Sequence, residues 1–317
     1  MCGIAGAFHP DRLSEAAFEA VRRMQRALGH RGPDGEGWFQ GQRIALAHRR
    51  LSIIDLSGGS QPLTGERAGT VAIVNGEIYN YIELQQELAA DGARLRTRSD
   101  SEVLPFLYER HGEDFVHRLR GAFAAAIWDE SRQQLLLLRD RLGEKPLLYA
   151  TGPDNTVYFA SEIGALVASG VIPVEPDVEA INRYFHFRFV PEPATPLLHV
   201  RKLRAGHLMA LSPDSPQPAP RQYWNVSAIP PLHGDPVEII RADLEDIGRI
   251  IVRSDVPVGV ALSGGLDSSI VASLAVRHSP GTVTAFSVGY EGRPACDERA
   301  DASAFAQHLG IDMVEVE

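Results

Sequence analysis

Met1-Cys2-Gly3-Ile4-Ala5-Gly6-Ala7-Phe8 opens the chain and decides how the rest is read. Removal of the initiator methionine leaves Cys2 as the first residue, a thiol on Cβ with a free α-amine within reach: a nucleophile and a base in one unit. An α-amine titrates near about pH 8, against about 10.4 for a lysine, so roughly a tenth of it is neutral at pH 7. Residues 3–8 are small and apolar and predict a short buried strand. On its own a cysteine at position 2 also has a bland reading, as an accident of composition, and the chain beyond it decides.

With 317 residues, 44% hydrophobic and 23% charged, the chain has an ordinary soluble composition and room for two domains. No stretch reaches the roughly 20 apolar residues of a membrane span. The start lacks the basic, then apolar, then small-residue order of a secretory signal. A net charge of −10, spread along the chain, argues against a nucleic-acid surface, which is basic. Cys2 and Cys296 are too few for a disulfide framework and suit a reducing cytoplasm. Cys296, in a polar Pro-Ala-Cys-Asp-Glu run, reads as incidental.

Ser14 is placed to cap a helix running to about Leu28, and a hairpin is expected across Gly41 between 36–40 and 43–49. A strand over 71–75 ends in Gly76-Glu77, helices follow at about 80–90 and 101–110, and strands at 122–128, 134–139, 146–150 and 156–160. This order predicts two sheets with helices on their outer faces. Four polar clusters stand at element ends. Arg49-Arg50 offers a fork for a substrate carboxylate. Asn75-Gly76 offers an amide side chain and a backbone N–H for a developing oxyanion, and Asp100 or Glu102 a partner for an ammonium. The fourth, Arg139 to Pro146, is a charged turn between strands. Taken singly these have plainer readings, Asn75-Gly76 as a turn and Ser99 with Glu102 as a capping box. Together they describe a site for a free α-amino acid.

Proline recurs from Ser212 to Pro220, which forbids a helix and favours a stiff linker over 212–235. An apolar-periodic helix is expected at about 236–254, then a continuous apolar strand, 256–262, running into Ser263-Gly264-Gly265-Leu266-Asp267-Ser268-Ser269 and a helix from Ile270. Strand, glycine turn and helix N-terminus make an anion site. The lysine of a Walker loop is missing, which argues against that class of phosphoryl transfer. A strand at 282–288, a helix at 297–309 and a strand at 311–316 complete a parallel β-α-β-α-β pattern.

MCGIAG, HRGPDG, HRRLSIIDLSGGSQPL, VNGEIYNY, SDSE, LRGAFAAAIWD, RDRLGEKPLLY and ASEIGAL resemble, in order and spacing, the glutaminase domain of class II glutamine amidotransferases, in the wording of the glutamine-hydrolysing asparagine synthetases. The resemblance implies α+β followed by α/β: an N-terminal-nucleophile hydrolase αββα sandwich over 2–211, then a truncated parallel-sheet ATP-pyrophosphatase domain over 236–317. It makes Cys2 the nucleophile that forms a glutamyl thioester, and Asn75 with the Gly76 backbone the oxyanion hole. Arg50 then holds the glutamine carboxylate and Asp100 the ammonium, with Leu51, Ser52, Ile53, Ile54 and Glu77 lining the pocket. Gly164 stands where the family has lysine, outside that pocket.

SGGLDSS resembles the pyrophosphate loop of ATP pyrophosphatases. By that resemblance Leu262 and Val288 flank the adenine nucleotide, Ser263, Gly264, Gly265, Leu266, Asp267, Ser268 and Ser269 surround the phosphates, and Asp267 stands near Mg²⁺. The implied reaction consumes glutamine, ATP and aspartate and yields asparagine, glutamate, AMP and pyrophosphate. One rival keeps both half-reactions and takes another carboxylate acceptor, a sugar acid or a peptide. A second is a non-catalytic relative kept for binding, against which the intact Cys2, Arg50, Asn75 and Asp100 argue. No nucleic-acid or membrane partner is expected, and a homodimer is compatible with the family. A sheet ending on its third strand leaves an uncovered edge, so a fragment with little synthetase activity is expected.

Overall fold

In the computed structural model, Gly3–Phe8 forms β1, buried along its whole length. Residues 1–292 and 297–317 are described; Cys296 lies outside them. The Ser14 hydroxyl accepts from the Ala17 N–H at 3.2 Å and caps α1 (Glu15–Ala27), which turns Phe18, Val21 and Met24 inward. The hairpin across Gly41 joins β2 (Gly35–Gln40) and β3 (Ile44–Arg50). There follow β4 (Leu63–Thr64), β5 (Thr70–Ile78), α2 (Tyr81–Ala90), α3 (Val103–His111), β6 (Gly121–Asp129), β7 (Gln134–Arg139), β8 (Leu148–Thr151) and β9 (Val157–Ala160). Helices α4 (Ile163–Ala168) and α5 (Val178–Phe187), then strands β10 (Arg201–Lys202), β11 (His207–Leu211) and β12 (Arg221–Gln222), complete this half of the chain.

Two six-stranded antiparallel sheets result, in the orders β10-β8-β9-β1-β3-β2 and β12-β11-β7-β6-β5-β4. Ile4, Phe8, Ile44 and Leu46 from the first face Ile73, Ala126, Trp128 and Leu137 from the second. On its other side the first sheet packs Ala5, Ala7 and Ala47 against Phe18, Val21 and Met24 of α1 and Leu166 of α4. The second packs Val74, Ala125 and Leu138 against Leu84, Leu88, Phe106 and Leu107 of α2 and α3. The layers are therefore helix, sheet, sheet, helix, the αββα sandwich expected from the sequence.

Three local expectations change. Strand β5 does not stop at Asn75; it runs on to Ile78, with Gly76 opposite Phe123 and Glu77 opposite Ala122. No capping box forms at Ser99, because the Glu102 carboxylate accepts instead from the Arg96 and Thr97 N–H groups, each at 2.8 Å. The proline-rich stretch does not run straight on: Arg221–Gln222 return to pair with β11, and the Tyr223 hydroxyl donates to the Arg139 carbonyl at 2.8 Å. The chain divides into two compact units after Ile229.

The second unit contains α6 (Pro236–Ile251), β13 (Val258–Ala261), α7 (Leu266–His278), β14 (Val283–Val288), α8 (Arg299–Leu309) and β15 (Asp312–Val316). Its strands form a parallel sheet, β13-β14-β15, around Val260, Leu262, Ala272, Ala285 and Ala302. Helix α7 starts at Leu266 rather than Ile270, since Gly265 supplies the extended N-cap and Leu-Asp-Ser-Ser becomes the first turn. Among the described residues no helix is long and apolar enough to cross a membrane.

A Cβ added at Gly6 would lie 2.4 Å from the Phe159 ring and 2.5 Å from the Ala45 carbonyl oxygen, which is fixed in the ladder. Gly6→Ala is expected to cost about 3 kcal/mol in urea unfolding; a loss below about 1 kcal/mol would mean that the sheet opens to admit a methyl group. A second prediction concerns His48, buried on β3 with Nε2 3.1 Å from the Val74 carbonyl. Burial lowers its pKa from 6.5 to about 4. The unfolded chain then binds a proton that the folded chain refuses, so stability is complete above pH 6.5 and declines as pH falls toward 4. The full decline is about 3 kcal/mol. Urea midpoints for wild type and His48→Gln between those limits should converge with acid; parallel curves would remove His48 as the cause.

Candidate active site

Strand β1 lies antiparallel to β3 with Gly3 opposite Arg49, which sets Cys2 beside the turn that leaves β3. The Leu51 N–H donates to the Cys2 sulfur at 3.4 Å, and the sulfur lies 3.6 Å from the Leu51 carbonyl. From the turn after α1, Arg31 Nε donates to the Cys2 carbonyl at 2.8 Å, while its Nη1 is held by Glu162 at 2.8 Å. Cys2 is thus held between the Leu51 peptide and the Arg31 guanidinium.

Cys2 opens onto a cavity of about 50 Å³ that has Met1 among its walls. The walls are Arg50, Leu51, Ile53 and Ile54 from the β3 exit, Gly59 and Gln61 further along that loop, Asn75, Gly76 and Glu77 from β5, and Ser99, Asp100 and Ser101. Met1 and Lys145 complete the lining. The two arginines separate here. Arg49 turns away to Glu36 at 3.0 Å and the Gln25 carbonyl at 3.2 Å, whereas Arg50 lines the cavity. Arg50 also organises the loop, donating to the carbonyls of Leu56 (3.2 Å) and Asp55 (2.6 Å). Of the two acids, Asp100 lines the cavity and Glu102 does not. Ser52, expected in the lining, is not part of it; its N–H donates to Asp34 at 2.8 Å.

Asn75 is 0% exposed, and neither its amide nitrogen nor its amide oxygen has a hydrogen-bond partner. A buried amide left unpaired costs about 1–3 kcal/mol, so the arrangement is stable only if something else rewards it. Gly76 has φ +138°, and a Cβ there would lie 2.0 Å from the Ala122 carbonyl oxygen, so only glycine fits. Asp100 accepts from the Ile78 N–H at 2.8 Å and from the Ser99 and Ser101 hydroxyls at 3.4 and 3.3 Å. Burial nevertheless outweighs those donors and pushes its carboxyl above the usual range. Burial, with Asp100 nearby, does the same to Glu77. The Cys2 thiol is also pushed up by burial, against the opposing pull of the Leu51 backbone and the terminal amine. Burial thus raises the pKa of both pocket acids and of the thiol.

Gly164 is not among the lining residues, and a side chain built there would meet nothing within 4 Å. Sequence reasoning missed Gly59, Gln61, Ser99, Ser101 and Lys145 as lining residues. Only SDSE and the charged turn carried a signal for any of them, because loop packing brings Gly59 and Gln61 in.

In the second unit a cleft is lined by Leu262, Ser263 and Ser268 after β13, Val288 at the end of β14, and Tyr290, Asp297 and Glu298. The Ser263 and Ser268 hydroxyls lie 3.1 Å apart, and Ser268 also donates to the Gly265 carbonyl at 3.0 Å. Gly264, Gly265 and Asp267 are not in this lining, and Leu266 and Ser269 face a separate apolar groove between α6 and α7. Among the described residues no group of three His, Cys, Asp or Glu is placed to hold a metal. A Mg²⁺ here would take its ligands from one or two carboxylates and the nucleotide's own phosphates.

Residues 1–224 match the family described as glutamine amidotransferase domain, and residues 240–317 that described as asparagine synthase. The chain is 40% identical over 317 residues to asparagine synthetase [glutamine-hydrolyzing] 1 of Bacillus subtilis (strain 168), covering 99% of this chain and 50% of that protein. It is 35% identical over 345 residues to amidase chry2 of Gibberella zeae, covering 99% and 50%. The chain thus spans about half the length of the curated relatives it matches. Among solved structures, glutamine phosphoribosylpyrophosphate amidotransferase from B. subtilis, complexed with ADP and GMP, superposes with a TM-score of 0.53 at 18% identity over 99% of this chain and 65% of that one. That likeness is one of fold, the N-terminal-nucleophile sandwich. By its sequence match over 1–224, the chain belongs to the glutamine amidotransferase domain family, and the asparagine synthase family matches its remainder.

Proposed function

We propose that the first unit hydrolyses the side-chain amide of glutamine at Cys2. The observation that carries this is Asn75: a fully buried amide with both polar atoms unpaired, lining the same cavity as the Cys2 sulfur. Such a donor is unrewarded in the free protein and becomes useful when negative charge develops on a carbonyl oxygen. After Met1 is removed, the Cys2 amine takes the thiol proton as sulfur attacks the amide carbon. The C–N bond then breaks, the proton passes to the leaving nitrogen, and ammonia departs from a glutamyl thioester. Water attacks that thioester with the same amine as base, giving glutamate and the free thiol. Arg50 faces the substrate carboxylate, and Asp100 with Glu77 the ammonium, whose charge favours their ionised forms. Leu51, Ser52, Ile53 and Ile54 shape the wall and its backing.

The second unit supports the further proposal that the ammonia is used on a carboxylate activated by ATP, as the names of the asparagine synthetase relatives suggest, with aspartate as acceptor. Leu262 to Ser269 and Val288 surround the nucleotide and Asp267 stands near Mg²⁺ in that reading. The domain assignment 2–211, 212–235 and 236–317 belongs to the same proposal.

Cys2→Ala is expected to abolish ammonia release from glutamine. Asn75→Ala should lower kcat about 10²–10³-fold with KM nearly unchanged. Equal, negligible rates for wild type and Cys2→Ala would replace catalysis by binding. An Asn75→Ala effect confined to KM would remove the oxyanion role. In a protein of the relatives' full length supplied with ATP, pyrophosphate release that depends on aspartate tests the acceptor, and release driven instead by another carboxylate would reassign it.

A further inference from the structure

The apolar stripes of β3 and β5 turn polar together where they reach the cavity. Ile44 and Leu46 on β3, and Val71 and Ile73 on β5, lie between the two sheets. Two residues further along each strand, the same faces carry His48 and Asn75. The ladder from β4 covers the outer edge of β5 only at Val71 and Ala72, which leaves the backbone groups of Val74 beyond its end. Two side chains take the place of the missing ladder. Gln61 Oε1 accepts from the Val74 N–H at 2.6 Å. His48 Nε2 lies 3.1 Å from the Val74 carbonyl, and since a carbonyl only accepts, the ring N–H donates. Both arms are anchored. Gln25 Nε2 donates to the His48 carbonyl at 3.2 Å, and Gln61 is seated so closely on β2 that a Cβ on Gly37 would stand 1.7 Å from its carbonyl oxygen.

We propose that Gln61 and His48 are positioning residues: by bracketing Val74 they hold the peptide from which the Asn75 amide reaches the oxygen of the carbonyl under attack. This deepens, and rests on, the glutaminase reading. The Val74 carbonyl and the Asn75 N–H belong to one planar unit, so fixing the carbonyl fixes the plane from which the Asn75 side chain departs. Asn75 depends on that support, because neither polar atom of its amide has a hydrogen bond to hold its rotamer. An oxyanion donor works only within about 2.7–3.1 Å of the place the charge will occupy. A misplacement of about 1 Å, even from a change away from the chemistry, costs about 10²-fold. His48 also ties the two sheets at this point. Arg50 follows it on the same face of β3, and Asn75 follows Val74 on β5, and both line the cavity. The bracket therefore sets the spacing between the guanidinium that faces the substrate carboxylate and the amide that faces the oxyanion.

The test measures ammonia release from glutamine by the full chain, with Cys2→Ala as the blank. Gln61→Met keeps the reach of the side chain and removes the acceptor; it should lower kcat about tenfold and leave KM within about twofold. In an Asn75→Ala background the same substitution should cost less than about twofold, because no amide is left to aim. His48→Leu removes the other arm and should show the same coupling, so the proposal stays testable if one of the two variants folds poorly. A loss by the same factor in both backgrounds overturns it, since a merely structural role would act with or without Asn75. An unchanged kcat does so as well, and so does an effect confined to KM, which would place Gln61 on the substrate. Wild type no faster than Cys2→Ala would overturn the underlying glutaminase reading, whereas uncoupled losses in an active enzyme overturn this proposal alone.

Discussion

Antiparallel pairing of β1 on both flanks, to β3 and to β9, is the constraint from which the site follows. A strand paired on both sides cannot shift along its axis without breaking two ladders. Alternation along it sends Ile4 and Phe8 between the sheets and Ala5 and Ala7 toward α1. A slip of one residue would exchange those faces, exposing the large side chains to the helix and forcing alanines into the intersheet core. Gly6 admits the Phe159 ring and the Ala45 carbonyl where any side chain would collide. With the register held this way, the residue before the strand has one place to be, against the Leu51 peptide at the exit of β3.

The cavity that results holds two acids, Asp100 and Glu77, and two cations, Arg50 and Lys145. Asp100 and Glu77 are neighbours, buried, and both resist ionisation. Donors from Ile78, Ser99 and Ser101 soften the cost for Asp100 without removing it. Arg50 provides a cation, but part of its donor set is spent on the loop carbonyls of Asp55 and Leu56. An α-amino acid brings one ammonium and one carboxylate, which complements two acids and a guanidinium with donors to spare. Asn75 adds a neutral amide already stripped of water, whose unmet hydrogen bonds are satisfied only by a bound partner. In the proposed hydrolysis the thiol's raised pKa is tolerable, because proton removal is deferred to the moment of attack.

Much of the fold was legible because the patterns were local. Ser14 with a 3.6-residue apolar stripe gave α1, the alternation around Gly41 gave a hairpin, and a continuous apolar run ahead of SGGLDSS gave a parallel strand. Misreadings arose where a local motif had two physical uses. Asn75-Gly76 looks like a turn or strand end, and the neighbouring strand β6 overrides that by carrying the ladder through to Ile78. Ser99 and Glu102 look like a capping box, and the competing N–H groups of Arg96 and Thr97 take the carboxylate instead. The start of α7 was displaced because a glycine can serve as N-cap as readily as it serves a turn.

From the residues alone came the cysteine at position 2, the choice between two arginines and between two acids, the glycine loop ahead of a helix, and an order of elements that stacks into two sheets and a parallel appendix. Choosing within those pairs needed the tertiary structure. Neighbouring strand residues point to opposite faces, so which of Arg49 and Arg50 meets the cavity depends on which face of β3 looks toward β5. Depth, too, is a property of the assembled layers: Asn75 is unpaired, and Asp100 and Glu77 are hard to ionise, because helices and a second sheet remove the water that a sequence cannot place. Lys145 shows the limit most plainly. Its spacing in the chain carries no hint of Cys2, and only the closure of β7 to β8 around Asp140 brings both into the lining of one cavity.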